Sequence, residues 1–396
     1  MMIPLSGKSR DRLETVQFAS LGAGVPLLVG SLVGGAFHPA SFFPGYLASY
    51  LFWLGLGLGS MAILMVHHQV GGSWGYITRR ILEAATGTLP LLVLFFVPLL
   101  FGRHILIPWA DPSGPAASPE FRHLEAYMSP GGVIVRAGIY FLCWVGLARA
   151  LCRGSARLDR TGDPRELLRL RRLSGGGLLL YAVTMFFAAV DWMLATEPRA
   201  SSTIVGLIAV AGQVVSGFAL VIAVLALLSR TPPLSEVVTP GRLRDLANLL
   251  LTAVLLWAYV SFSQYLIIWS GNLPREVAWY VRRTSPAWRV FPLTLLALHL
   301  AAPLALLLFR AVKERPAVLG SLAGMLLGLR LLEGFWQILP AYEPGGPVYH
   351  WTTPAAVLGM GGLWMGLFLR HLRQGSALPL HDPEFAPVLQ EAHLHV

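Results

Sequence analysis

The sequence predicts an all-α integral membrane protein of about ten transmembrane helices, and three observations predict it. Of 396 residues, 55% are hydrophobic and only 13% charged, where soluble chains are about a quarter charged. Mean hydropathy is +0.63. The apolar residues also form long continuous runs, not the alternation over about ten residues that marks a membrane barrel strand, so the spans are helices.

A span needs about 20 apolar residues, which leaves room for roughly ten with short connections and no separate soluble domain. Breaks at prolines, glycines and charges place them at 16–36, 46–67, 85–106, 130–152, 173–195, 202–229, 243–270, 290–312, 316–340 and 350–373. The expected organisation is an N-terminal segment 1–15, one ten-helix domain 16–373 and a tail 374–396. Lys8, Arg10 and Arg12 precede the first run, but no clear cleavage box follows it, so it reads as a retained span.

Net charge is +10 with a pI near 10. In a membrane protein basic residues first report orientation, and no nucleic-acid reading follows. Of the 30 Lys and Arg, 21 fall on the side of the termini, 8 on the other side, and Arg330 inside the ninth helix. The excess predicts cytoplasmic termini. The arginines from Arg149 to Arg172 hold this topology and meet anionic lipid headgroups, or bind a partner. The tail, with His381, Asp382, Glu384, Glu391, His393 and His395, reads as a loose or partner-docked extension. Cys143 and Cys152 lie nine residues apart in one apolar run without a CxxC or CxxCH pattern, so no iron-sulfur, covalent c-type haem or zinc site is expected in this chain.

Small-residue spacing predicts close helix contacts at Gly30 and Gly34, at Gly320, Gly324 and Gly328, and at Gly362 and Gly366. Polar residues within spans are costly, so each needs a partner, a cavity or a function. At helical periodicity Asp245, Asn248, Thr252, Tyr259, Ser263 and Ser270 share one sector of the seventh helix. Tyr181, Thr184 and Asp191 share a face of the fifth, Ser60 and His67 of the second, and Arg330, Glu333 and Gln337 of the ninth. These faces are expected to point inward, the seventh-helix line toward the second half of the protein. Arg136 lies at a depth that lets it pair with Asp191, and Arg330 sits one turn from Glu333. Two readings stand side by side. One is structural ion pairs, Arg136 with Asp191 and Arg330 with Glu333. The other is a proton path through Asp191, Tyr181, Thr184, Asp245, Asn248, Thr252, Tyr259, Ser263, His67 and Glu333. His299 or His67 as a haem ligand would need a facing second histidine.

Four segments carry a family resemblance: WAYVSFSQYLIIWSGNLPREVAWYVRR at 257–283, YLFWLGLGLGSMAILMVHH at 50–68, RRILEAATGTLP at 79–90 and DWMLATEPRASSTI at 191–204. Together they resemble the shorter of the two membrane subunits of bacterial alternative complex III, both of which are related to the polysulfide-reductase (NrfD-like) membrane anchor. The resemblance runs from about residue 45 to 345. It implies two four-helix bundles, helices 2–5 and 6–9, flanked by helices 1 and 10. It also implies a place in the bacterial inner membrane, within a quinol:electron acceptor oxidoreductase of the respiratory or photosynthetic chain. Quinol, c-type haem and iron-sulfur clusters would belong to partner subunits: a longer paralogous membrane subunit, an iron-sulfur subunit and c-type cytochromes. Asp191 resembles a carboxylate position of the shared pattern, and both membrane subunits are implicated in proton translocation. The alternative is a stand-alone secondary transporter or proton-coupled permease, with ten helices and buried carboxylates as its motive. A lipid-transferase reading lacks a catalytic cluster at an interface.

Overall fold

The fold is that of a computed structural model, which describes residues 7–107, 109, 127–197, 200, 202–348, 350–375 and 378. Among these residues there are no strands, and ten helices are long and apolar enough to cross a membrane. They are α1 Ser9–Phe37, α2 Pro39–Val70, α3 Ser73–Phe101, α4 Pro130–Thr161, α5 Pro164–Thr196, α6 Val205–Leu228, α7 Pro240–Gly271, α8 Val290–Leu307, α9 Pro316–Ala341 and α10 Thr352–Gln374. An even count returns the chain to the face where α1 starts, here the terminal face. The short helix Pro274–Arg283 follows α7 at the opposite face.

The helices form the two bundles, α2–α5 and α6–α9, with α1 and α10 beside them. Burial orders the arrangement. The apolar window of α2 is 78% buried and that of α6 67%, against 17% for α1 and 22% for α8. The first helices of the two bundles are therefore the central seam, and each packs on the other and on α9. Lipid is as apolar as leucine, so close approach of backbones must replace a hydrophobic driving force. A Cβ on Gly59 would lie 1.9 Å from the Gln213 carbonyl oxygen, and one on Gly217 2.9 Å from the Gly59 carbonyl carbon. Only glycine lets α2 and α6 touch there.

The glycine expectations hold at Gly34, Gly320, Gly362 and Gly366 and need correction at Gly30, Gly324 and Gly328. The α1–α10 contact runs through Gly24 on Gly362, Gly359 on Leu28 and Gly366 on Leu21, while Gly34 meets Trp351. A Cβ on Gly320 would lie 2.5 Å from the Cβ of Ala226 on α6, whereas at Gly30, Gly324 and Gly328 it would have nothing within 4 Å. Spacing alone does not say which side of a helix faces a neighbour.

The boundaries also shift at the charged ends. The helices α4 and α5 continue to Thr161 and from Pro164, so the arginine-rich stretch is a helical hairpin, not a loop. Arg, Leu and Glu are good helix formers and extend the spans beyond the apolar core. The hairpin turns at Gly162, φ 61°, and Asp163 caps α5 by accepting from the Arg165 N–H at 2.9 Å. Helix α3 likewise starts at Ser73, twelve residues before the predicted 85, because Ser73–Thr86 is an amphipathic stretch with little net apolarity. Most of the tail 374–396, its histidines, Arg122 and Arg199 lie outside the described residues.

Candidate functional site

In the first bundle, Asp191 near the C-terminal end of α5, at the face opposite the termini, is 3% exposed. Its carboxylate accepts from Arg136 Nε at 2.8 Å and Nη2 at 3.2 Å, and from the Tyr140 hydroxyl at 2.9 Å. Arg136 also donates to the Tyr127 carbonyl at 2.5 Å and lies 3.6 Å from that ring's centroid. Burial, with the Asp191 charge adding to it, pushes the Tyr127 phenol up to about 12. One turn or more deeper, Trp144 Nε1 donates to Thr184 Oγ1 at 2.8 Å, and the Tyr181 hydroxyl donates to Gln213 Oε1 at 2.5 Å. The fifth-helix stripe thus leads from Asp191 to the seam between bundles.

The second bundle holds a different centre. Glu333 on α9 is 2% exposed. It accepts from Trp257 Nε1 of α7 at 3.0 Å and Gln337 Nε2 at 2.8 Å, and is ion-paired with Arg330. The His299 ring stands 4.0 Å from that of Trp257, fully buried, and among the described residues neither of its nitrogens has a hydrogen-bond partner. His299 sits in a π-helical stretch, Leu295–Ala301, a local widening of α8 that often marks functional positions. Arg330 lies against Gly212, where a Cβ would be 1.9 Å from its Nη2, and its Nε is buried without a partner among the described residues. Buried polar atoms are rarely left unpaired, so these three mark a place for water or a ligand.

The seventh-helix line is on the wrong side for the sequence expectation. Asp245, Asn248, Thr252, Tyr259 and Ser270 are exposed and Ser263 half-buried. The buried face is Leu246, Leu250, Ala253, Val254, Trp257 and Val260, which fills the bundle with apolar volume and turns the polar sector outward. Lys313 Nζ donates to Asn248 Oδ1 at 2.6 Å and Thr252 to the Asn248 carbonyl at 2.9 Å. Tyr259 is 69% exposed, near the middle of the helix. His67 is buried near the terminal face, its ring 5.2 Å from Trp74 and 5.3 Å from Tyr76, over Gly75. It is far along α2 from both carboxylate centres.

Among the ion-pair networks that escaped the sequence reading, two are largely buried. At the terminal face Glu83 accepts from Arg79 at 3.0 Å, Arg80 at 2.7 Å and Ser155 at 2.5 Å, and Arg80 reaches Asp159 at 2.5 Å. The RRxxE spacing at 79–83 was the signal, one helical turn between opposite charges. At the opposite face Glu197 pairs with Arg282 at 2.9 Å and Arg283 at 2.6 Å. Burial pulls the Arg283 guanidinium down to about 10 despite Glu197. Its Nη2 donates to the Gln337 carbonyl at 2.5 Å, which ties the surface helix to α9.

Comparison with models of known protein families finds no match to this chain, and comparison with curated proteins finds none either.

Proposed function

We propose that this chain is a membrane subunit of a larger quinol:electron acceptor oxidoreductase of the alternative complex III kind. The observation that carries the subunit reading is the outward face of α7. Its 32 residues span about 48 Å, longer than the ~30 Å hydrocarbon core, so Thr252 through Ser263 lie at hydrocarbon depth, while Asn248 is level with Lys313 at the terminal face. A phenol such as Tyr259 left in hydrocarbon without a partner costs several kcal/mol on alkane scales. Lipid tails offer no acceptor; a polar helix of another subunit does. The four resembling segments supply the class of complex. In this reading the termini are cytoplasmic, quinol, c-type haem and iron-sulfur centres reside in partner subunits, and the chain lies in a bacterial inner membrane.

Proton transfer is the role that suits the buried groups. Of the residues on the sequence-derived path, Glu333, Tyr181 and Thr184 sit inside the protein and adjoin other polar groups, whereas Asp245, Asn248, Thr252 and Tyr259 face outward. A proton taken up by Glu333 would neutralise the carboxylate and loosen Arg330. Asp191 already receives three donated bonds and ties α4 to α5.

Affinity purification in mild detergent, with mass spectrometry and a haem spectrum, tests the proposal. The expected result is co-purification of c-type cytochrome and iron-sulfur proteins with this chain. A monodisperse chain that isolates alone and moves a solute in vesicles would replace the proposal with the transporter reading.

A further inference from the structure

Two cavities lie close together between the bundles. The outer one, about 60 Å³, is lined at the opposite face by Ser202, Gln264, Glu276, Trp279 and Tyr280. The deeper one, about 50 Å³, is lined by Gly55 of α2, Met185 of α5, Gln213 and Ser216 of α6 and Arg330 of α9. Met193 and Gln337 line both. Arg330 lies eleven residues from Ala341, the end of α9, so the deeper cavity reaches about 16 Å below that end at 1.5 Å per residue.

The deeper cavity satisfies the physical requirements for internal water. By volume it has room for about three molecules. Gln213, Ser216, Arg330 and Gln337 supply donors and acceptors around it, and the unpartnered Arg330 Nε is the buried group that most needs one. The side chain of Arg330 retains 12% exposure at this depth. Toward the terminal face the space ends where α2 and α6 close on each other: Gly59 on the Gln213 carbonyl, then Gly217 on Gly59 and Ile63. No side chain fits in that seam, which closes α2 directly against α6 at this level.

We propose that the two cavities form one water-filled cleft between the bundles, open at the face of helix Pro274–Arg283, sealed toward the termini by the Gly59–Gly217 seam, and ending on Arg330. The cleft makes the Arg330–Glu333 pair communicate with one side of the membrane only. Gly212 is its positioning residue, since a side chain there would push the guanidinium into the cleft. This inference concerns water in the chain itself and stands whether or not the chain belongs to a redox complex.

Radiolytic hydroxyl labelling read by mass spectrometry tests it, because radicals formed from bound water oxidise neighbouring methionines. Met185 is 1% exposed, as well shielded from bulk solvent as Met61, Met65 and Met360 at 0%. In the purified protein Met185 should be oxidised about tenfold faster than Met61 and Met360, which line neither cavity. Met65, beyond the seam on α2, should remain as protected as those two. Equal protection of Met185 and Met61 would overturn the water-filled cleft, and labelling of Met65 at the rate of Met185 would overturn the seal. Ala209→Phe, which fills the deeper cavity, should abolish the excess labelling of Met185 while labelling of Met360 stays low. Persistence of the excess in that variant would place the reacting water elsewhere and refute the assignment.

Discussion

The two bundles dispose of their polar residues in opposite ways. In the first, polarity is kept inside, on Asp191, Arg136, Tyr140, Thr184 and Trp144, while the outward faces of α4 and α5 present Ile134, Ile139, Leu142, Leu179 and Val183. In the second, polar groups occur both inside, around Glu333, and outside, along α7. The first bundle presents an apolar surface, whereas the second leaves polar side chains of α7 exposed. The ion pairs differ in the same sense. Arg136 and Asp191 join two helices, so their energy goes into the fold. Arg330 and Glu333 stand one turn apart on a single helix and can tie nothing by themselves; Trp257 and the cleft give them their context.

The largest effect should come from the second bundle's interior. Glu333→Ala leaves Arg330 without its carboxylate and the buried Trp257 and Gln337 donors without an acceptor, and should cost about 3–5 kcal/mol, read as thermal unfolding in detergent. The double variant Arg330→Met with Glu333→Leu should recover most of that loss. Equal destabilisation by single and double variants would mean that the two charges do not compensate each other.

A middling effect belongs to Asp191→Asn. Arg136 is 18% exposed near the opposite face and can regain water, so about 2 kcal/mol is expected. If the first-bundle pair is a tie and the second a proton site, vesicles with the assembled complex should keep their proton-to-electron ratio in Asp191→Asn and lose part of it in Glu333→Gln. The reverse pattern would exchange the roles assigned to the bundles. Tyr140→Phe, which removes one of the donors on Asp191, should cost about 1 kcal/mol in the same unfolding assay. A loss as large as that of Asp191→Asn would make the phenol, not the guanidinium, the main support of the carboxylate.

The smallest effect on the chain itself is expected for Thr252→Leu and Tyr259→Leu. Both side chains are exposed and Thr252 bonds to a carbonyl of its own helix, so each should change the unfolding of the isolated chain by less than about 0.5 kcal/mol. Their consequence should instead appear as reduced retention of partner subunits through purification. Loss of chain stability without loss of partners would contradict an outward interface.

Fold class was legible because hydrocarbon imposes a length and a composition that a chain cannot disguise: 55% hydrophobic residues in ten runs suffice to count the spans. Helix ends were less legible. Arg153 and Arg172 are charged, yet they continue helices that have simply left the apolar region. Periodicity grouped the α7 residues correctly but could not say whether that face points in or out, because the opposite face, with Leu250, Val254 and Trp257, offers equally good contact to a bundle. In a soluble protein water would settle that choice, whereas in a membrane both faces can be apolar. His299 was visible only as a lone histidine, since neither the π-helical turn nor the approach to Trp257 leaves a mark in the spacing.

The subunit claim rests on what touches Tyr259, and site-specific photo-crosslinking in intact cells reads that contact directly. A benzophenone side chain placed at 259 should give one discrete crosslink to a membrane protein of the haem- and iron-sulfur-bearing complex. The same group at Leu142 or Leu179, on the apolar faces of α4 and α5, should give none. Crosslinks from 142 and 179 but only lipid adducts from 259 would contradict the account.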